Sequence, residues 1–146
     1  MTLLVSGLLA GFLDGAAALL LFIARGNKQP ALLFQYIASA VFGKAAFAPG
    51  ARMVCVGILF HLLIALAWVA LYYGLCSRIS WPLLHPLAAA VVYGLIVWVI
   101  MNLVVVRVSR AAPRPFSWTM AMVNMVILMA AIGLPAAYGA RSWFLR

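Results

Sequence analysis

The sequence predicts an all-α integral membrane protein, with four transmembrane helices plus one interfacial or re-entrant helix between helices one and two. Three observations predict it. The 146 residues are 69% hydrophobic and only 8% charged, with a mean hydropathy of +1.22, whereas soluble domains usually carry about 25% charged residues. So few charges do not cover an apolar interior in water, and lipid removes the conflict because an apolar exterior is then favourable. Four stretches also reach the length of about 20 apolar residues that crosses a hydrocarbon core of about 30 Å. Finally, the basic residues gather at the ends of those stretches and not on one polar face. Residues 1–146 are read as a single membrane domain.

Helix one is expected from Leu3 to Ala24. No basic residue precedes it, and the run exceeds the roughly 7–15 residues of a signal-peptide core, so it is expected to stay in place. Gly7, Gly11 and Gly15 fall on one face, a spacing that lets another helix backbone approach closely in lipid. The pattern leaves open whether that helix belongs to the same chain or to a second copy, so this face is one candidate for a homodimer interface. Asp14, the only acid in the chain, lies near the middle of the helix. An ionisable group at that depth costs about 2.5–3.5 kcal/mol on insertion scales, which calls for a partner, a bound proton or water.

The segment from Pro30 to Ala48 is apolar but carries Gln35, Ser39 and Lys44 and is bracketed by Pro30 and Pro49. Charge counting separates a surface or dipping helix from a fifth crossing. With four crossings, Arg25, Lys28, Lys44, Arg52, Arg107, Arg110 and Arg114 share one side, against Arg78, Arg141 and Arg146 on the other. A fifth crossing divides the same charges evenly. The four-crossing arrangement obeys the positive-inside rule, turns both termini away from the cytoplasm and lays 30–48 over the cytoplasmic side.

Helix two is expected from Met53 to Cys76, helix three from Leu87 to Val106 and helix four from Trp118 to Ala140. Pro82 and Pro86 break the chain before helix three, and Pro113 and Pro115 break it before helix four. Cys55 and Cys76 both fall in helix two about 30 Å apart, too far to pair. Tyr72, Tyr73, Trp81, Tyr138 and Trp143 are expected at the outer interface, and Phe34, Tyr36, Phe116 and Trp118 at the inner one. Trp98 lies mid-helix, where packing is its expected role.

The net charge of +9 raises the question of nucleic acid. Its distribution at helix ends points instead to anionic lipid headgroups. Catalysis has little support, because the chain has no paired carboxylates, no His-Glu-x-x-His, no Cys-x-x-Cys and no phosphate-cradling glycine loop. His61 and His85 are expected toward opposite membrane faces, so no metal site and no cofactor is expected.

Counted from the cytoplasmic ends, Asp14 is about 15 Å deep, His61 about 12 Å, Asn124 about 9 Å and Asn102 about 6 Å. Every helix supplies one such residue, all in the cytoplasmic half, with Gln35 and Lys44 in the segment that covers it. One reading is a hydrogen-bonded polar core that fixes helix register. The other is a hydrated cavity in which Asp14 and His61 exchange protons or bind a solute.

The stretch Phe34-Gln35-Tyr36-Ile37-Ala38-Ser39-Ala40-Val41-Phe42-Gly43-Lys44-Ala45-Ala46-Phe47 is joined by Gly11-x-x-Asp14, Gly57-Ile58-Leu59-Phe60-His61, Tyr93-Gly94, Met101-Asn102 and Pro115-Phe116. Together they resemble the YagU-like family of small uncharacterised bacterial inner-membrane proteins. The resemblance covers most of the chain and implies a multi-pass protein of the bacterial cytoplasmic membrane. It implies no activity. The expected function is transport or channel-like, proton-linked through Asp14 and His61, with a proton or small solute as partner. Four short helices rarely enclose a pathway alone, which favours a homodimer. The alternatives are an accessory or scaffold subunit of a membrane complex, and a membrane enzyme acting on a lipid or quinone.

Overall fold

A computed structural model describes residues 2–112 and 117–145. The helices are α1 (Leu3–Ala24), α2 (Ala31–Phe42), α3 (Arg52–Cys76), the single turn α4 (Trp81–Leu84), α5 (Pro86–Val108) and α6 (Trp118–Phe144). Among the described residues there is no strand. Four of these helices, α1, α3, α5 and α6, are long and apolar enough to cross a membrane. The architecture is that of a membrane protein with four spanning helices and a shorter apolar helix between the first two.

The helix limits follow from local chemistry. Thr2 caps α1, its Oγ1 accepting the Val5 N–H at 3.3 Å. Pro82 and Pro86 stand in the first turns of α4 and α5, where a missing N–H leaves no hydrogen bond unmade. Helix two starts one residue before its expected Met53, and helix four runs on from Ala140 to Phe144. The breakers Pro113 and Pro115, the interfacial Phe116, and the charges Arg114 and Arg146 lie outside the described residues. A π turn interrupts α5 at Met101–Val105 and another interrupts α6 at Met129–Gly133. Each adds a residue to one turn and so re-aims the side chains beyond it.

The segment after α1 is not a fifth crossing. A Cβ on Gly57 would run into the Phe34 carbonyl, so α2 touches α3 backbone to backbone there. Eight residues later, Phe42 stacks on Phe60 with ring centroids 6.2 Å apart. Those eight residues of α2 span about 12 Å while the facing stretch of α3 rises only about 4.5 Å. Thus α2 lies obliquely across one end of the bundle. Gly43, at φ 58°, ends it in a conformation that a side chain would strain, and a 3₁₀ turn over Gly43–Phe47 follows.

The start of α1, the end of α3, the start of α5 and the end of α6 share one end of the molecule, here the terminal end. Ser6 and Tyr73 share a hydrogen bond there, 2.8 Å between hydroxyl oxygens, with Gly139 packed against both. The opposite, basic end carries Arg25, Lys28, Lys44, Arg52, Arg107 and Arg110.

The buried core belongs mainly to the terminal half and includes Val69, Tyr72, Tyr73, Tyr93, Ala136, Ala137 and Ala140. Tyr72 and Tyr73 reach the expected interfacial level but face inward, 1% and 5% exposed, because neighbouring helices cover them. Trp81, Tyr138 and Trp143 are exposed at that end, and Trp118 at the other, as residues of an interfacial belt are.

Candidate functional site

The glycine face of α1 is taken up within the chain. A Cβ on Gly7 would meet Leu66, and one on Gly11 would lie 2.9 Å from Leu62 Cδ2 and 3.2 Å from Ala65 Cβ. Next along the face, a Cβ on Gly15 would stand 3.0 Å from His61 Nε2. Three glycines one turn apart thus seat α1 on α3 within the chain.

The last contact of that seam is also the chemical one. His61 Nε2 lies 2.9 Å from the Gly11 carbonyl oxygen. A carbonyl only accepts, so this nitrogen carries hydrogen and, in the neutral imidazole, Nδ1 is the acceptor. Asp14 Oδ2 lies 3.8 Å from the same Nε2. That is beyond a direct hydrogen bond, and the single Nε2 hydrogen is already given to Gly11, so the contact between Asp14 and His61 is electrostatic. The two side chains keep 16% and 14% of their surface, Asp14 and His61 respectively.

Both face a cavity of about 210 Å³, large enough for several waters. Its polar lining is Asp14, His61, Asn102 and Asn124, one residue from each spanning helix. The remaining wall is apolar and aromatic, with Trp68 and Met101 among its members and Ile37 reaching in from α2. Local geometry explains the grouping. His61, Ile64, Ala65 and Trp68 follow one another at helical spacing on α3, as Asn124, Leu128 and Ile132 do on α6. On α5 the π turn carries Met101 and Asn102, and Asn102 Nδ2 donates to the Trp98 carbonyl at 2.9 Å. Asn124 makes no hydrogen bond to another described side chain, so its amide is available to the cavity.

Two of the residues picked out from the sequence stand apart. Gln35 is buried, and its Nε2 donates to the Ala48 carbonyl at 3.2 Å, tying α2 to the turn that follows it. Lys44 is exposed in the 3₁₀ turn. Neither lines the cavity. Among the described residues no three His, Cys, Asp or Glu side chains gather.

Sequence reasoning missed a second seam of small residues. A Cβ on Gly94 would collide with the Met129 backbone, and one on Gly133 with the Ala90 carbonyl. This contact holds α5 against α6 at the terminal side of the cavity. Its signal was present in Ala90-x-x-x-Gly94 and Gly133-x-x-x-Ala137, small residues four apart. Trp68 was also missed, though it stands two turns from His61 on the same face.

No family model matches the chain, and comparison with curated proteins and with solved structures also finds no match. Function is therefore read from the cavity and its residues.

Proposed function

We propose that this is a proton-linked membrane transport protein in which Asp14 and His61 take up and release one proton per cycle inside the polar cavity. One observation carries the reading: four spanning helices each place a polar residue, Asp14, His61, Asn102 and Asn124, on the wall of a single cavity. A structural polar core satisfies its groups on one another. Here Asp14 and His61 stand 3.8 Å apart with space beside them, and the Asn124 amide has no partner among the described residues.

The proton balance is simple. With His61 neutral and protonated at Nε2, an ionised Asp14 gives the pair one negative charge. One proton, placed on the Asp14 carboxylate or on His61 Nδ1, makes the pair neutral overall. A low-dielectric site tolerates that neutral state best. Asn102 and Asn124 offer both donors and acceptors to a solute or to the waters that carry the proton. The excess of basic residues at the end where α2 lies would face a bacterial cytoplasm under the positive-inside rule.

The test is flux. Wild-type protein in liposomes containing a pH-sensitive dye is expected to dissipate an imposed proton gradient. Asp14→Asn, which keeps size and hydrogen bonding but cannot ionise, is expected to stop it. The melting temperature of both proteins in one detergent is the companion measurement. A folded Asp14→Asn variant that still moves protons at the wild-type rate refutes the proposal. So does folded wild type with no flux under any imposed gradient. Asp14→Asn that is silent but unaltered in melting supports it.

A further inference from the structure

A second hollow adjoins the polar cavity and has none of its acid, imidazole or amide side chains. It is a groove of about 430 Å³ between α2, α3 and the basic end of α5. Its surface is almost wholly apolar, from side chains such as Val41, Phe60, Leu63 and Val105, with Ser109 at the basic end. Ile37, Ile64, Met101 and Val106 line both hollows, so the groove lies against the outer side of the polar cavity's wall.

Charge distinguishes its mouth. The Arg110 N–H donates to the Ala40 carbonyl at 2.9 Å, and Tyr36 OH donates to the Ala112 carbonyl at 3.1 Å. These bonds fasten the end of α5 to α2 and hold Arg110 beside Gly43, which the exposed Lys44 follows in the chain. Arg107 stands one turn back on α5. No carboxylate is left to compensate them, since the single acid of the chain is Asp14, engaged with His61 in the other cavity.

We infer that this groove binds one acyl chain of an anionic membrane phospholipid, whose phosphate sits over Arg110 and Lys44. An apolar slot between helices that ends in uncompensated cations matches such a lipid in both its parts. From Met101 to Val108 the groove follows α5 for about 10 Å, roughly the outer third of a hydrocarbon core about 30 Å thick. The part of the chain nearest the headgroup would therefore lie in it. The bound chain would pack on Ile37, Ile64, Met101 and Val106 and shield the polar cavity from the bilayer. The inference does not depend on what the polar cavity transports.

The test is lipid-dependent stability of the whole chain in a neutral detergent, with native mass spectrometry to count bound lipids. Phosphatidylglycerol is expected to raise the melting temperature more than phosphatidylcholine does and to stay bound on ionisation. Lys44→Gln together with Arg110→Gln is expected to erase the difference between the two lipids. Ala40→Phe, which fills the groove, is expected to reduce retention of both. Equal shifts for the two lipids in wild type, or a preference untouched by the double charge variant, would overturn the inference. A shift reproduced by glycerol 3-phosphate alone would overturn it too, by showing a phosphate site without an acyl chain. Should Ala40→Phe fail to fold, the charge variant decides.

Discussion

The two ends of the bundle are built from similar apolar residues and pack in opposite ways. In the terminal half, alanines and glycines bring helix backbones together, and the bulk between them comes from Val69, Tyr72 and Tyr93, all buried. Of the three buried tyrosine hydroxyls there, two are paired, Tyr73 with Ser6 and Tyr93 with the Trp68 carbonyl, while the Tyr72 hydroxyl has no hydrogen-bond partner among the described residues. In the basic half the helices enclose two hollows, and the polar residues are an acid, an imidazole and two amides with more donors and acceptors than near neighbours. Lipid tails are as apolar as leucine, so apolar character alone does not drive helices together in a membrane. Small residues permit close approach along the terminal half, while in the basic half Gly57 does so only where α2 crosses α3. The acid, imidazole and amides gathered around one cavity mark the half that stays open.

The sharpest way to break this comparison is to disturb the close approach itself. Gly94→Ala would set a methyl group against the Met129 backbone, which has no flexible end to swing aside. It is expected to cost about 1–3 kcal/mol or more, seen as a large fall in melting temperature. Gly74→Ala is the matched control on α3, because nothing lies within 4 Å of the added Cβ. It is expected to stabilise by roughly 0.5–1 kcal/mol, the ordinary cost of glycine inside a helix. Similar effects from both substitutions would mean that the terminal half is not held by close packing.

The contrast also separates what was legible in the sequence from what was not. Length and hydropathy set the four spans, and glycine spacing marked the α1 face that meets α3. Depth alone grouped Asp14, His61, Asn102 and Asn124, since all four lie in the same half. Depth says nothing about facing, however, which is why Gln35 and Lys44 joined that group although one is tied to Ala48 and the other is exposed. Facing depends on how helices rotate against one another, and two π turns shift that rotation within α5 and α6. A periodicity of 3.6 residues carried across them points to the wrong face. Tyr72 and Tyr73 show the same limit, because aromatic residues at a helix end look interfacial until a neighbouring helix covers them.

A second prediction tests the junction of the two halves, where the glycine seam ends at the polar site. Gly15→Ala would bring a methyl to 3.0 Å from His61 Nε2, which must then shift by a few tenths of an ångström. The imidazole can move into the cavity, so the expected loss of stability is below about 1 kcal/mol, less than for Gly94→Ala. The hydrogen bond from Nε2 to Gly11 would lengthen from 2.9 Å and the ring would turn relative to Asp14. Proton flux is expected to fall more than stability does. Equal losses in both would place His61 among the packing residues and remove the distinction between the halves at this point.

The smallest expected effect lies in the paired hydroxyls of the terminal half. Ser6 Oγ donates to the Thr2 carbonyl at 3.0 Å, so in its 2.8 Å contact with Tyr73 it is the Tyr73 hydroxyl that donates. Tyr73→Phe removes that donor and leaves Ser6 with its bond to Thr2, so no donor of Ser6 is orphaned. Hydrogen bonds between membrane helices average about 0.6 kcal/mol in double-mutant cycles, which corresponds to roughly 1–2 °C in melting temperature for a chain of this size. Proton flux is expected to be unchanged, because this pair lies outside the polar cavity's lining. A shift of many degrees would mean that hydroxyl pairing, more than the glycine and alanine contacts, holds the terminal half together. Loss of flux with an unaltered melting temperature would extend the functional region from the basic half to the terminal end.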